Sequence, residues 1–173
     1  MKINLGCGDD YRDGFINIDA SPFIKSDKCI NTTQESLLNH FASESAELIL
    51  AYDILEHHYR FEALKLLREF YEILKIDGQL DIRCPDVEII IASEVDTLTK
   101  IQLLFGGQDI KNNNQFYDQS REHHPELFCH KYGWTKTTLT NELRQIGFKQ
   151  IHAVNSGSNM VITAMKANDI RFF

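Results

Sequence analysis

The stretch "LGCGDDYRDGFINID", Leu5–Asp19, decides how this chain is read. Lys2 to Leu5 and Phe15 to Ile18 are short β-rich runs on either side of a glycine turn, Gly6-Cys7-Gly8. Neither glycine carries a Cβ, so a ligand can come close to the backbone there. A dinucleotide fingerprint would need glycine at position 11, which is Tyr11, so that pattern is incomplete. Asp9, Asp10 and Asp13 crowd the turn with only Arg12 in opposition, and a pyrophosphate beside them would meet like-charge repulsion in a low-dielectric cleft. Only Gly6 to Gly14 or so joins the two runs, barely the dozen residues a parallel crossover usually takes. At most one helical turn is expected in it.

Outward from this stretch, β-rich runs alternate with helical patterns, the signature of a mostly parallel sheet covered by helices. Leu48 to Ala51 and Gln79 to Arg83 read as further strands. Phe61 to Lys75 reads as a helix with Leu64, Leu67, Tyr71 and Leu74 on one face and Gly78 as its stop. A single helix is expected from Asp86, its cap, to about Phe105, because Val87, Ile90, Ile91, Val95, Leu98, Ile101 and Phe105 recur with helical period. Residues 106–128 are polar and aperiodic, which predicts a lid or acceptor-binding loop. Thr135 or Thr137 caps a last helix ending at Gly147, and Phe148 to Val154 and Asn159 to Met165 form a strand pair around "NSGS".

With 173 residues and 43% hydrophobic content, one domain spanning 1–173 is expected. A net charge of −7 and the lack of a Lys/Arg cluster disfavour nucleic acid as a partner. No run is apolar enough to span a bilayer and no signal peptide is apparent, so a cytoplasmic location is expected. Cys7, Cys29, Cys84 and Cys129 are too scattered for a disulfide or zinc framework and read as mostly buried, reduced thiols. No metal is expected. Adjacent His123 and His124 in "REHHPE" read as solvated, since no i, i+4 histidine spacing supports a site.

Ligands of such sheets sit beyond the carboxyl ends of the strands, and Asp19 ends the second strand, where an acid accepts the hydroxyls of a ribose. A ligand with a ribose, no phosphate and a positive charge satisfies both Asp19 and the acidic turn. S-adenosylmethionine (SAM) is such a molecule.

The motifs "INLGCG", "GFINIDASP", "AYDILEH", "LKIDGQLDIRCPD", "HKYGWTKTTLTNEL" and "GF" follow one another over nearly the whole chain. In this order the chain resembles the class I SAM-dependent methyltransferases, specifically the compact ones with a short first crossover. The resemblance implies an α/β, Rossmann-like three-layer sandwich whose mostly parallel sheet closes with a C-terminal antiparallel strand pair. It implies that Gly6, Cys7 and Gly8 pack against the methionine part of SAM and that Asp19 binds the ribose. Asn31 falls where the family often has an aspartate on the adenine amine, which an asparagine can meet through its carbonyl. Tyr52 and Asp53 fall beside the reactive sulfonium, and Glu56 and His57 match the "LEH" pair. "KIDG" stands where many relatives have a Pro-Gly-Gly turn.

Methyl transfer to a small-molecule acceptor, a sugar, glycan precursor or other metabolite, is the implied activity. The alternative is a non-catalytic protein that keeps the fold for binding or assembly. Transfer asks chiefly for alignment and exclusion of water; a hydroxyl acceptor also asks for a base. His57 is the first candidate, as an imidazole titrates near neutrality, with His130 second and Glu56 a backbone-orienting neighbour. Asp86 caps a helix or faces the acceptor. Tyr132 and Trp134 line an acceptor pocket or belong to the core.

Overall fold

In the computed structural model, residues 1–108 and 115–167 are described. Seven strands, β1 (Lys2–Leu5), β2 (Ile16–Asp19), β3 (Lys28–Cys29), β4 (Ala46–Tyr52), β5 (Leu74–Pro85), β6 (Lys149–Ser156) and β7 (Asn159–Met165), form one sheet in the order β3-β2-β1-β4-β5-β7-β6. The first five pair in parallel, while β7 runs antiparallel to both β5 and β6. Ile3, Ile18, Ile49, Leu80 and Ile162 are fully buried, so the strands that the alternation predicted carry the core.

No helix joins β1 to β2, as the short crossover requires. Side chains replace it: Asn17 donates through Nδ2 to Arg12 O at 3.0 Å, and its Oδ1 accepts from Arg12 N at 2.9 Å and from Asn4 Nδ2 at 3.0 Å. Asn4 and Asn17 are buried, and this mutual satisfaction offsets their desolvation.

Five α-helices are described: α1 (Arg60–Ile73), α2 (Val87–Ala92), α3 (Thr97–Phe105), α4 (Gln115–His123) and α5 (Lys136–Ile146). The amphipathic reading of α1 holds through Leu64 and Leu67, but Leu74 already opens β5. Gly78 is therefore not the helix stop. It closes the segment Lys75 to Gly78, which bulges out between the pairings Ala46↔Leu74 and Leu48↔Gln79 and is held by Asp77 N donating to Lys166 O at 2.6 Å.

The single helix expected over Asp86 to Phe105 is two. Asp86 does cap the first, accepting from Glu88 N at 3.0 Å. Ser93 ends it with extended backbone, and Asp96 caps the second by accepting from Thr99 N at 3.1 Å. Apolar periodicity runs across this break because it reports which side chains are greasy, while local side-chain bonds decide where the backbone turns.

Of the expected lid loop, 106–128, residues 109–114 lie outside the described ones. The rest contains α4 and a 3-10 turn at Pro125–Phe128. The buried residue of α4 is Ser120, so hydrophobic periodicity had nothing to detect. Thr135 caps α5 by accepting from Thr138 N at 3.1 Å, and Gly147 ends it. Trp134, 1% exposed, belongs to the core, where Tyr132 packs edge-on against it at 4.8 Å. All four cysteines are free. Cys7 and Cys84 are buried, but Cys29 is exposed and Cys129 half-buried, so the expected burial holds for only some of them.

Candidate active site

A cleft of about 450 Å³ lies at the carboxyl ends of β1, β2, β4 and β5, where parallel sheets bind their ligands. Gly6, Cys7, Gly8, Asp19, Asn31, Tyr52, Asp53 and His57 all line it. Six of these residues come from the ends of β1, β2 and β4 and the turns behind them, and Asn31 follows β3, so the sheet register itself brings these seven together. Asp19 is held most firmly. Its Oδ2 accepts from Gly8 N at 3.0 Å and its Oδ1 from Ser21 N at 2.9 Å. Burial raises its pKa above the ordinary carboxylate value, and those amide bonds oppose the shift. Each oxygen keeps a further lone pair for a hydroxyl.

The glycine turn is close-packed. Gly6 and Gly8 have φ of 67° and 48°, and a Cβ on Gly6 would lie 1.9 Å from Ile54 Cδ1. A Cβ on Gly8 would lie 2.0 Å from Tyr117 Oη, from α4. The Tyr117 hydroxyl accepts from Asp9 N at 3.1 Å. Ser21 and Ser120 join their hydroxyls nearby, and Phe23 stacks on His123 at 5.2 Å. Thus α4 is seated on the residues that carry Asp19. Cys7 lines the cleft, but its thiol donates to Lys25 O; burial first, then Asp19, pushes it up to about 12, so it stays protonated.

Asn31 reaches the cleft in a different state from the one its sequence implies. Its Oδ1 already accepts from Thr33 N at 3.0 Å and Thr33 Oγ1 at 2.8 Å. Both lone pairs are used, so the amide nitrogen is the group left to offer a ligand. The expected acceptance from an adenine amine is corrected accordingly: Asn31 is set to donate.

Tyr52 lies between two guanidinium groups, Arg12 at 5.6 Å and Arg83 at 5.1 Å from its ring centre. Asp53, at φ 55°, is paired with Arg83, whose Nε donates to both carboxylate oxygens at 3.1 Å. Arg83, Arg121 and Lys131 also line the cleft. They escaped the sequence reading because nothing in a lone cation's position, even inside a motif, shows which way its side chain turns. Asp9, Asp10, Asp19, Asp53 and Glu126 outnumber them, so the cleft favours a ligand with positive character.

Of the three candidate catalytic residues, His57 is part of this wall, and Glu56 and His130 stand behind it. His57 Nδ1 donates to Cys129 O and His130 Nδ1 to Leu103 O, both at 3.1 Å. Burial first, then His130, lowers the His57 pKa to about 3, so the ring is neutral near pH 7. Such an imidazole is free to accept a proton but does so with little driving force. Glu56 is buried, and burial, with Asp53 adding, raises its carboxyl far above the usual range. Glu56 and His130 do not line the cleft themselves. His58 does, tied by Nε2 to Thr32 Oγ1 at 2.8 Å and by Nδ1 to Ile54 O at 2.9 Å. Asp86 is a cap for two helix starts, with Oδ2 accepting from Lys136 N at 3.3 Å, and it is not among the cleft residues.

No family model and no curated protein sequence matches the chain. Solved structures do. The SAM-dependent methyltransferase from Archaeoglobus fulgidus superposes with a TM-score of 0.64 at 13% identity, covering 95% of this chain and 85% of that one. The chain has a methyltransferase fold. The CurJ carbon methyltransferase superposes at 0.60 with 12% identity, over 96% of this chain and 48% of that one. Phosphoethanolamine N-methyltransferase 2 from Haemonchus contortus, in complex with SAM, superposes at 0.57 with 12% identity and the same two coverages. The chain thus spans about half the length of the last two. At such identities the likeness is one of fold, and the methyltransferase fold serves carbon and nitrogen acceptors alike in these neighbours.

Proposed function

We propose that the chain is a SAM-dependent methyltransferase acting on a small-molecule acceptor such as a sugar, glycan precursor or other metabolite. The observation that carries this reading is Asp19. A carboxylate fixed by two backbone amides at the end of β2, facing a glycine turn in an acid-rich cleft, suits a ribose whose ligand is cationic and lacks phosphate. When bound, SAM supplies a methyl group already activated on a sulfonium. The acceptor–methyl bond forms as the sulfur–methyl bond breaks, and an acceptor proton leaves to a base or to water.

The chain's own part is to hold and enclose. Asp19 would take the ribose hydroxyls, Asn31 would donate to the base, and the backbone of Gly6 to Gly8 would leave room for the methionine part. Helix α4 covers the turn and excludes water, which favours alignment over hydrolysis. Isothermal calorimetry with SAM tests the reading: saturable binding is expected, followed by S-adenosylhomocysteine formation when an acceptor panel is added. No detectable heat at millimolar SAM would overturn it. Binding without turnover on any acceptor would favour the non-catalytic alternative.

A further inference from the structure

Glu56, His57 and His130 are brought into one cluster by the fold. A donor atom of each lies within 4.8 Å of the other two, and the two rings meet edge to face with centroids 4.9 Å apart. Each ring is oriented from behind by a carbonyl oxygen, Cys129 O for His57 and Leu103 O for His130. A carbonyl only accepts, so both rings carry their proton on Nδ1 and keep a lone pair on Nε2. Metal-ligating histidines are supported in this way. Glu56 is 3% exposed, and its Oε2 has no hydrogen-bond partner, a costly state for a buried acceptor. Ligand atoms of two imidazoles and a buried carboxyl thus converge at one point.

We propose that Glu56, His57 and His130 form a binding site for one divalent transition-metal cation, of the zinc or cobalt kind, at the edge of the cleft. Two imidazoles and a carboxylate suit these ions better than calcium or magnesium, which prefer all-oxygen shells. Tetrahedral ligands about 2.0–2.1 Å from zinc stand roughly 3.4 Å apart, so ligand atoms lying within 4.8 Å of one another close on an ion by contracting by at most about 1.4 Å. The backbone around it is braced for this. Lys131 N and Tyr132 N donate to Glu56 O at 2.7 and 3.3 Å, and His130 N donates to Phe105 O at 3.1 Å. His57 lines the cleft while Glu56 and His130 stand behind it, so an open coordination position on that side faces the ligand space. Asp53 is not counted as a ligand, because Arg83 holds its carboxylate. His123 and His124 belong elsewhere, one stacked on Phe23 and the other beside Glu126.

The test uses the whole protein, stripped with a chelator and titrated with Co²⁺ and then Zn²⁺. One equivalent is expected to bind, with visible cobalt absorption of four- or five-coordinate nitrogen and oxygen ligation that Zn²⁺ abolishes. Glu56→Gln and His130→Gln are each expected to weaken binding by about 100-fold or more, whereas the pair His123→Ala and His124→Ala leaves it in place. Circular dichroism verifies folding of each variant; should Glu56→Gln fail to fold, His130→Gln decides. Absence of the cobalt bands, or binding that survives His130→Gln and disappears with the His123 and His124 pair, overturns the proposal. Calorimetry with SAM on the stripped protein reports separately on the cofactor reading, so failure of one is distinguishable from failure of the other.

Discussion

The two walls of the cleft are built by different means. One is made of strand ends: Gly6 to Gly8 follow β1, Asp19 ends β2, and Tyr52 and Asp53 follow one another at the end of β4. Sheet hydrogen bonds fix these positions, with Ile3↔Ile16 and Leu5↔Ala51 in register. The other wall comes from far along the chain, from Tyr117 and Ser120 on α4 and from the loop that bears His130, and it is held by side-chain contacts such as Asp9 to Tyr117 and His57 to Cys129. A wall of strand ends is rigid and positions a ligand. A wall seated by a few polar contacts opens at low cost and is suited to admitting and releasing one.

The largest effect expected from this contrast is on turnover. His57→Ala removes the one member of the rear cluster that reaches the cleft and, if His57 is the base, lowers the rate of S-adenosylhomocysteine formation by about 10²-fold or more. A loss of less than tenfold would leave His57 with a structural role, tying the first wall to the second through Cys129. Next comes affinity. Asp19→Ala is expected to weaken SAM binding about tenfold in calorimetry, in line with losing a charge-assisted pair of hydrogen bonds; unchanged affinity would mean that the ribose acid lies elsewhere.

A smaller effect is set by pH. Burial raises the folded-state pKa of Asp19 above its unfolded value. The folded chain therefore binds that proton more readily, and this group's contribution to stability is present at low pH and lost as pH rises through the folded pKa. SAM binding moves the other way, because the ionised carboxylate is the better acceptor. Affinity should fall as pH is lowered, starting at higher pH than an ordinary aspartate would give, and the slope should flatten in Asp19→Asn. A slope that persists in that variant assigns the pH dependence to another group.

The smallest effect separates the cysteines. Cys29 is exposed, while Cys7 and Cys84 are buried with thiols raised chiefly by burial. The Cys29 thiol is also raised, by partial burial and then Asp19, but it is accessible, so iodoacetamide at pH 8 followed by mass spectrometry should label Cys29 well ahead of Cys7 and Cys84. Rapid labelling of Cys7 would show that the glycine turn opens more freely than its packing implies.

The strand-end wall was legible in the sequence because its residues sit next to what positions them. "LGCG" and "INID" each contain both the strand and the group that the strand presents. The mostly parallel sheet was legible from the alternation, and the missing first helix from the shortness of the Gly6 to Gly14 crossover. The distal wall was not legible as geometry. His57 and His130 could be named as candidates, yet nothing in their spacing shows that the fold gathers both rings with Glu56 into one cluster. Helix α4 escaped because Ser120, its buried residue, makes a hydrogen bond at its contact with Ser21 and carries no hydrophobic signal. Asn31 shows the same limit at a single atom: its residue type permits acceptance, but Thr33 has already filled the oxygen.

The bare crossover between β1 and β2 also has a consequence for how the chain folds. Ile3 meets Ile16 after a short loop, whereas Gln79 must wait for Met165 before β5 gains its second neighbour. Closing the first loop costs little chain entropy, and closing the second costs more. The expected order is that β1 and β2 join early, with the C-terminal hairpin docking last. Pulse-labelled hydrogen exchange would show it as amides of β7 gaining protection after those of β1, and simultaneous protection would contradict it. The ligand-bearing edge of the sheet would then exist before the chain has finished folding around it.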